Sequence, residues 1–157
     1  MGVKPTPEGY RSVTPYLIVD DGPAALEFYA KALGAVERMR MDWGGGRVGH
    51  AELEIGDSVV MLASEFPEMN ALSPRTIGGT PVSLMVYVDD VDAVFATAVR
   101  EGAEVVRPVA DQFYGDRAGR IRDPFGHEWT LSTHVEDVAP EELRRRQEAI
   151  VSGSDAM

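Results

Sequence analysis

The feature that most constrains the fold is that the chain repeats one order of elements. In the first half, "SVTPYLIVD" has the composition of a strand, "GPAALEFYAKALGA" has helical apolar spacing, and three short β-rich segments follow. The second half repeats this order with "VSLMVYVDD", "VDAVFATAVREGA" and three further β-rich segments. Gly34 and Gly102 end the two helices and lie 68 positions apart, while Gly56 and Gly126 lie in matching turns 70 positions apart. The pattern predicts two βαβββ modules.

The duplication also predicts the domain organisation. We expect an N-terminal extension (1–11), a first module (12–64), a linker containing proline and glycine (65–81), a second module (82–135) and a C-terminal tail (136–157). In the tail, "APEELRRRQEAIV" carries early acids and later arginines, which is the order that the helix dipole favours. We therefore expect the tail to form an exposed or interface helix.

Composition excludes several classes of protein. The chain has no cysteine, which excludes thiol catalysis and zinc-thiolate sites and is typical of a reducing cytoplasm. Its 26 acidic and 15 basic residues give a net charge of −11, which opposes nucleic-acid binding. The start "MGVKPTPEGYR" lacks an apolar signal region, and no segment approaches the roughly 18 apolar residues of a membrane span. We expect a cytoplasmic protein that binds neither nucleic acid nor membrane.

Two motifs add a family resemblance to the duplication. The motifs "FYAKALGA" on the first helix and "DPFGHEWTLSTHVEDV" near the end resemble the vicinal oxygen chelate superfamily of glyoxalases, bleomycin resistance proteins and extradiol dioxygenases. The stretch "DQFYGDRAGRIRDPFGHEW" followed by "THVED" is most similar to its PhnB-like branch. The resemblance implies an α+β fold in which two βαβββ modules form curled mixed sheets around a concave cleft. The two modules of a cleft come from one chain or from two.

The resemblance also identifies where a metal would bind. In metal-dependent members, the ligands are His or Gln on the first strand of each module and Glu on the last strand. The corresponding positions here are Thr14, Met61 (or Val60, if the turn is one residue shorter), Ser83 and Thr130. A catalytic metal requires about three His, Asp or Glu ligands. None of these positions holds one, so we expect no metal and no other cofactor.

Side-chain alternation along the first strand of each module predicts the walls of the cleft. The residues predicted to contact a ligand are Thr14, Tyr16, His50, Ser83, Met85, Tyr87 and Thr130, together with Phe113 and Tyr114 in the loop "DQFYGDR". Rings, a thioether and hydroxyls suit an aromatic or amphipathic ligand. The alternative is that the larger side chains fill the core. Exposed loop aromatics, including Trp43, also suit a lid or a dimer contact.

The segment "VGHAELEI" contains the candidates for catalysis. Alternation places Val48, His50 and Glu52 on one face and turns Ala51 and Leu53 towards the core. The polar residues then form either a hydrogen-bonded surface or a proton-transferring pair in which His50 acts as base. Catalytic residues stay unassigned, with His50 and Glu52 as the candidates.

The stretch "IRDPFGHEWTLSTH" concentrates charged groups around a Pro-Phe-Gly turn. His127 and His134 lie at the ends of the last strand, outside the metal positions. Alternation places Glu128 on the cleft face and Trp129 against the helices. The arginines that precede the turn are Arg117, Arg120 and Arg122. For these we expect inter-strand ion pairs, with anion recognition as the alternative.

These observations support a first functional hypothesis and two alternatives. The acid excess and the tyrosines predict a metal-free protein that sequesters a small aromatic or cationic compound in the cleft of a homodimer. A dimer would also cover the exposed sheet edges. The second hypothesis is an enzyme of the same superfamily: a metal-dependent lyase, isomerase or dioxygenase, or a metal-free enzyme with His50 as base. The third is a regulatory or interaction domain that uses the tail helix.

Overall fold

The computed structural model describes residues 2–155 and confirms the predicted α+β fold of two βαβββ modules. The elements of the first module are β1 (Tyr16–Val19), α1 (Gly22–Leu33), β2 (Val36–Gly44), β3 (Arg47–Ile55) and β4 (Ser58–Ser64). The elements of the second are β5 (Ser83–Tyr87), α3 (Val91–Arg100), β6 (Glu104–Asp111), β7 (Asp116–Arg122) and β8 (Glu128–His134). Between them lie a 3₁₀ turn (Pro67–Met69) and the short helix α2 (Pro74–Ile77), and α4 (Pro140–Asp155) follows the second module.

Each module forms its own four-stranded sheet. The strand orders are β1-β4-β3-β2 and β5-β8-β7-β6. In both sheets the first strand of the module pairs in parallel with the last, and the remaining pairs are antiparallel. The two sheets are therefore mixed, and they do not close into one barrel within the described part of the chain. None of the helices in residues 2–155 has the length and apolar content needed to cross a membrane.

The duplication extends to the start of each long helix. Asp21 accepts a hydrogen bond from the backbone N–H of Ala24 at 3.1 Å, and Asp90 accepts the equivalent bond from Ala93 at 3.1 Å. These are N-cap contacts, which satisfy backbone donors that the first helical turn leaves unpaired. The pairs "DDG" and "DDV" thus fix the same helix start in both modules.

The two modules share one hydrophobic core. Helix α1 packs against α3, and Tyr29 of α1 contacts the rings of Phe125 and Trp129 from the second module. Tyr29 is 0% exposed and Trp129 is 1% exposed, so this contact is fully buried. Because the helices cover one face of each sheet, the opposite faces stay available for a ligand or for another chain.

One alternation prediction is wrong, and a β-bulge explains the difference. Met41 pairs with His50 but Asp42 pairs with Val48, so Gly49 is an extra residue in β3. A bulge of this kind reverses the side-chain alternation beyond it. Val48 is consequently buried, and its N–H donates to Ser64 Oγ at 2.9 Å, instead of sharing the face of His50. From His50 onwards the predicted faces are correct, with Ala51 and Leu53 in the core.

The C-terminal helix α4 is mostly exposed, and Arg146 links it to the second module. Arg146 donates to the Phe113 carbonyl oxygen at 3.1 Å and forms an ion pair with Glu136 at 2.7 Å. The N–H groups of Val135 and Glu136 both donate to the carbonyl oxygen of Gly115 at 3.0 Å. The segment leading into α4 therefore lies against the β6–β7 loop.

Candidate functional site

The open face of the first sheet brings together the two catalytic candidates and Tyr16. Tyr16 and Glu52 both pair with Met61, so the three residues form a row across β1, β4 and β3. The Tyr16 hydroxyl lies 2.8 Å from His50 Nδ1, and His50 Nε2 lies 3.4 Å from Glu52 Oε1. Tyr16, His50 and Glu52 thus form a continuous hydrogen-bonded series. Thr14 borders the same face beside Glu52 and Met61.

The protonation states of this series follow from its partners. A hydrogen bond from Tyr10 is the main cause that holds the pKa of Glu52 below its usual value, with His50 adding to the effect against partial burial. Burial raises the pKa of Tyr16, which stays a neutral hydroxyl. In the neutral imidazole of His50, Nε2 donates to Glu52, because a carboxylate only accepts, and Nδ1 accepts from the Tyr16 hydroxyl. In this tautomer His50 has no free lone pair, whereas the half-exposed Tyr16 presents its hydroxyl oxygen to a ligand.

An apolar cavity of about 330 Å³ adjoins this series. Tyr16 and Trp43 line it together with Phe66 and Met69 from the segment after β4. Trp43 packs edge-on against Phe66 with ring centroids 6.2 Å apart. A Cβ atom at Gly49 would lie 3.1 Å from the Trp43 ring, so glycine allows the indole to approach the sheet. This cavity has the size and the aromatic walls of a small-ligand site.

The open face of the second sheet carries a different set of groups. Met85, Thr130 and Arg120 occupy successive positions across β5, β8 and β7. They border a cavity of about 240 Å³ that Tyr114 also lines. Alternation along β8 is as predicted, since Trp129 is buried while Thr130 lies on the open face.

Tyr87 is held on this face by a buried carboxylate. Its hydroxyl donates to Asp116 Oδ2 at 2.9 Å, and Asp116 also contacts Ser132 Oγ at 3.1 Å and His134 Nδ1 at 2.8 Å. Burial raises the pKa of Asp116, but these three partners outweigh it and leave the pKa below its usual value. Hydrogen bonds to Asp137 and then to Asp116 raise the pKa of His134. The network fixes the Tyr87 hydroxyl and leaves its ring exposed.

A third cavity, of about 380 Å³, lies between the modules and contacts three predicted ligand-binding residues: Thr14, Met85 and Tyr87. Tyr16 and Met85 are each 47% exposed and Tyr87 is 60% exposed, so these side chains do not fill the core. Ser83 is exposed at the start of β5 and lines none of these three cavities. Phe113 packs edge-on against Tyr114 with ring centroids 5.4 Å apart, at the tip of the β6–β7 loop.

The donors at the superfamily's metal positions do not fit a divalent ion. Those positions hold Thr14, Met61, Ser83 and Thr130, which offer hydroxyl and thioether groups. Carboxylates do lie next to two of these positions, since Glu52 is opposite Met61 and Glu128 is opposite Ser83 in the strand register. However, Glu52 is bonded to His50, and Glu128 forms ion pairs with Arg120 and Arg122. Residues 2–155 contain no group of three His, Asp or Glu side chains arranged to hold a metal.

Arg117 and Arg122, both on β7, form the predicted inter-strand ion pairs. Arg117 pairs with Asp111 of β6 at 3.1 Å and with Asp92 of α3 at 2.8 Å. Arg122 pairs with Glu104 at 3.2 Å and Glu128 at 3.0 Å.

The Pro-Phe-Gly turn joins the two modules. Asp123, buried at its start, accepts hydrogen bonds from the Tyr29 hydroxyl at 2.5 Å and Trp129 Nε1 at 2.9 Å. It also accepts from the backbone N–H groups of Phe125 at 2.9 Å and His127 at 3.0 Å. His127 Nε2 donates in turn to the Ile18 carbonyl oxygen of β1 at 2.8 Å. Asp123 and His127 therefore hold the two modules together, a role that their sequence spacing did not indicate.

Comparison with known proteins gives consistent matches. The sequence profile of the Glyoxalase/Bleomycin resistance protein/Dioxygenase superfamily matches residues 11–131. The uncharacterized protein Rv0887c of Mycobacterium tuberculosis is 42% identical over 136 residues, covering 85% of this chain and 80% of that protein. The crystal structure of TioX from Micromonospora sp. ML1 has a TM-score of 0.62 at 25% identity, covering 82% of this chain and 100% of TioX. The Arabidopsis thaliana At5g48480 gene product has a TM-score of 0.64 at 25% identity, covering 78% and 98% of the two chains.

Proposed function

Because the chain belongs to the Glyoxalase/Bleomycin resistance protein/Dioxygenase superfamily, we propose that it is a ligand-binding member that works without a metal. It holds a small aromatic or cationic compound in the cleft of a homodimer, and we assign it to the PhnB-like branch. The observation that carries the proposal is the apolar cavity beside Tyr16, whose walls include the exposed indole of Trp43.

The chemistry of the cavity supports this ligand class. Trp43 and Tyr16 present ring surfaces, which bind apolar or aromatic groups and also attract cations. The ionised Glu52 lies within the same hydrogen-bonded series as Tyr16 and favours positive charge. Large apolar side chains that stay exposed on a sheet face indicate a binding surface. On β2, Trp43 is 70% exposed and Met41 is 52% exposed.

A homodimer would cover the open faces of both sheets. Within one chain the modules pack together through α1 and α3, and the two faces carry separate cavities. A second copy related by a two-fold axis would place its second sheet over the first sheet of this chain, and the reverse. Two equivalent clefts would result, each lined by Tyr16 and Trp43 from one protomer and by Met85 and Tyr87 from the other.

The hydrogen-bonded series Tyr16–His50–Glu52 favours a second candidate function, a metal-free enzyme of the same fold. In this alternative Tyr16 accepts a proton from the ligand while passing its own proton to His50 Nδ1, 2.8 Å away. His50 then acts as base through Tyr16 and not by direct contact. Replacing Tyr16 with phenylalanine would abolish turnover of a substrate but preserve its binding.

The ligand-binding proposal is tested by a thermal-shift screen with aromatic carboxylates, aromatic amides and quaternary ammonium compounds. A ligand that binds only the native state raises the unfolding midpoint. We expect Tyr87→Ala to keep its fold, because the ring is exposed and the lost hydrogen bond to Asp116 costs about 1 kcal/mol. The same change removes one wall of the cleft and lowers the affinity for any hit about 10-fold, equivalent to about 1.4 kcal/mol.

The matched control is Ile77→Ala, which truncates an equally exposed side chain on α2. This variant should bind each hit as tightly as the wild type. If Tyr87→Ala collapses the chemical denaturation midpoint while the folded molecules keep full affinity, Tyr87 belongs to the packing and not to the cleft.

A further inference from the structure

The open face of the second sheet carries two arginines directly opposite one another. Arg107 on β6 pairs in register with Arg120 on β7, and Arg120 pairs with Thr130 on β8. Thr130 in turn lies opposite Met85 on β5, so the four side chains form one row across the sheet. Like charges in directly opposed positions of a sheet destabilise it. An anion beside the two guanidinium groups would remove this repulsion.

The neighbouring carboxylates do not neutralise the row. Glu128 pairs with Arg120 at 2.5 Å and with Arg122 at 3.0 Å, and Arg122 also reaches Glu104 at 3.2 Å. The Arg107 guanidinium makes no ion pair or hydrogen bond with any residue of the described range 2–155. This part of the sheet therefore contains three guanidinium groups but only two carboxylates to pair with them. The local charge is positive on a chain whose net charge is −11.

Arg120 also has a donor that lacks an acceptor. Its Nε is buried, and no acceptor in residues 2–155 forms a hydrogen bond with it. Buried polar groups are nearly always hydrogen-bonded, so this donor requires an explanation. Both arginines border the 240 Å³ cavity, whose wall also includes the Tyr114 ring and the Met85 thioether. The cavity thus combines cationic donors with apolar surface.

We propose that this cavity binds the carboxylate, or a similar oxyanion, of a small aromatic acid, with Arg107 and Arg120 as its guanidinium partners. The fork of donors on arginine matches the geometry of a carboxylate. Tyr114 and Met85 contact the apolar part of the same molecule. This inference rests on the proposed function, because the cavity lies on the face proposed to line the cleft. It narrows the ligand class from aromatic or cationic compounds to aromatic acids.

The test compares two probes that differ in charge and hardly in shape, 2-naphthoate and 2-naphthamide. Calorimetric titrations would use the wild type, Arg107→Gln and the control Arg144→Gln. The control removes the same charge from an exposed position on α4. We expect the wild type to bind naphthoate about 10-fold more tightly than naphthamide, because charge-assisted hydrogen bonds add to the contact. Arg107→Gln should abolish this difference, and Arg144→Gln should preserve it.

Three other outcomes would overturn the anion site or separate its failure from a failure of aromatic binding. If the wild type binds the acid and the amide equally, aromatic binding stands and the anion site is wrong. If neither probe binds, the proposal of aromatic binding fails, and a titration with acetate tests the anion site separately. A saturable shift of the arginine Nε–H NMR signals that is lost in Arg107→Gln supports the anion site. The absence of such a shift refutes it. If Arg107→Gln dissociates a dimer in light scattering and leaves naphthoate affinity unchanged, the carboxylate belongs to a second copy of the chain, which overturns the small-acid proposal.

Discussion

Replacing Asp123 with alanine is expected to destabilise the protein by about 4 kcal/mol, because buried donors would lose their shared acceptor. Asp123 is 3% exposed and accepts from Tyr29, Trp129 and two backbone N–H groups. Tyr29 belongs to the first module and Asp123 to the second, so the substitution removes a hydrogen bond between the two halves of the core. Urea denaturation followed by circular dichroism measures the effect.

Two variants make this result interpretable. Asp89→Ala removes an exposed aspartate just before α3 and should change the free energy of unfolding by less than about 0.5 kcal/mol. Tyr29→Phe removes one donor and should cost about 1–2 kcal/mol, and its effect should largely disappear when Asp123 is already alanine. A loss below about 1 kcal/mol in Asp123→Ala would show that water replaces the carboxylate and that the turn does not join the modules.

The second large effect is expected from Gly115→Ala, which should cost about 3 kcal/mol through backbone strain together with overpacking. Gly115 has a φ of +102°, in a region that residues with a Cβ rarely adopt. An added Cβ would also collide with the carbonyl oxygen of Glu136 and lie 3.1 Å from Val138 Cγ2. The segment that leads into α4 would have to move. Thermal and urea unfolding measure the stability, and limited proteolysis reports the release of α4.

Gly78→Ala separates strain from collision. Gly78 has the same φ of +102°, but no heavy atom lies within 4 Å of the position that its Cβ would occupy. This variant should therefore cost only the strain, about 1–2 kcal/mol. If both variants lose the same free energy of unfolding, the segment before α4 moves away from the added Cβ without loss of stability. That result would contradict its close packing on Gly115.

Much of the fold could be predicted from the sequence because its signals are local and occur twice. Helical spacing, the paired glycines and the turn residues all repeat at nearly the same interval, so each module supports the assignment of the other. The bulge at Gly49 could not be predicted, because it depends on how β3 pairs with β2. Simple alternation consequently assigns Val48 to the wrong face, whereas it assigns the buried Trp129 of β8 correctly.

The candidate site was predictable only where regular strands present it. Tyr16, Met85 and Tyr87 are exposed on the sheet faces, as alternation from the first strand of each module indicated. Phe66 and Met69 line the apolar cavity but come from the segment interpreted as a linker, where no periodicity points inwards. Arg107 opposes Arg120 because the register of β6 shifts between Val105 and Arg107, and a shift of this kind is set by tertiary packing.

The most direct test of the central claim, a ligand cleft that works without a metal, is a fluorescence titration of chelator-treated protein. The chain has two tryptophans, and Trp129 is 1% exposed while Trp43 is 70% exposed in the wall of the apolar cavity. We predict that the best compound from the thermal-shift screen produces a saturable change in emission, which Trp43→Phe abolishes. Added zinc, nickel, manganese or iron should leave its dissociation constant unchanged. A response that appears only after one of these metals is restored, with about one ion retained per chain, would contradict the account and direct the search for ligands to His50 and Glu52.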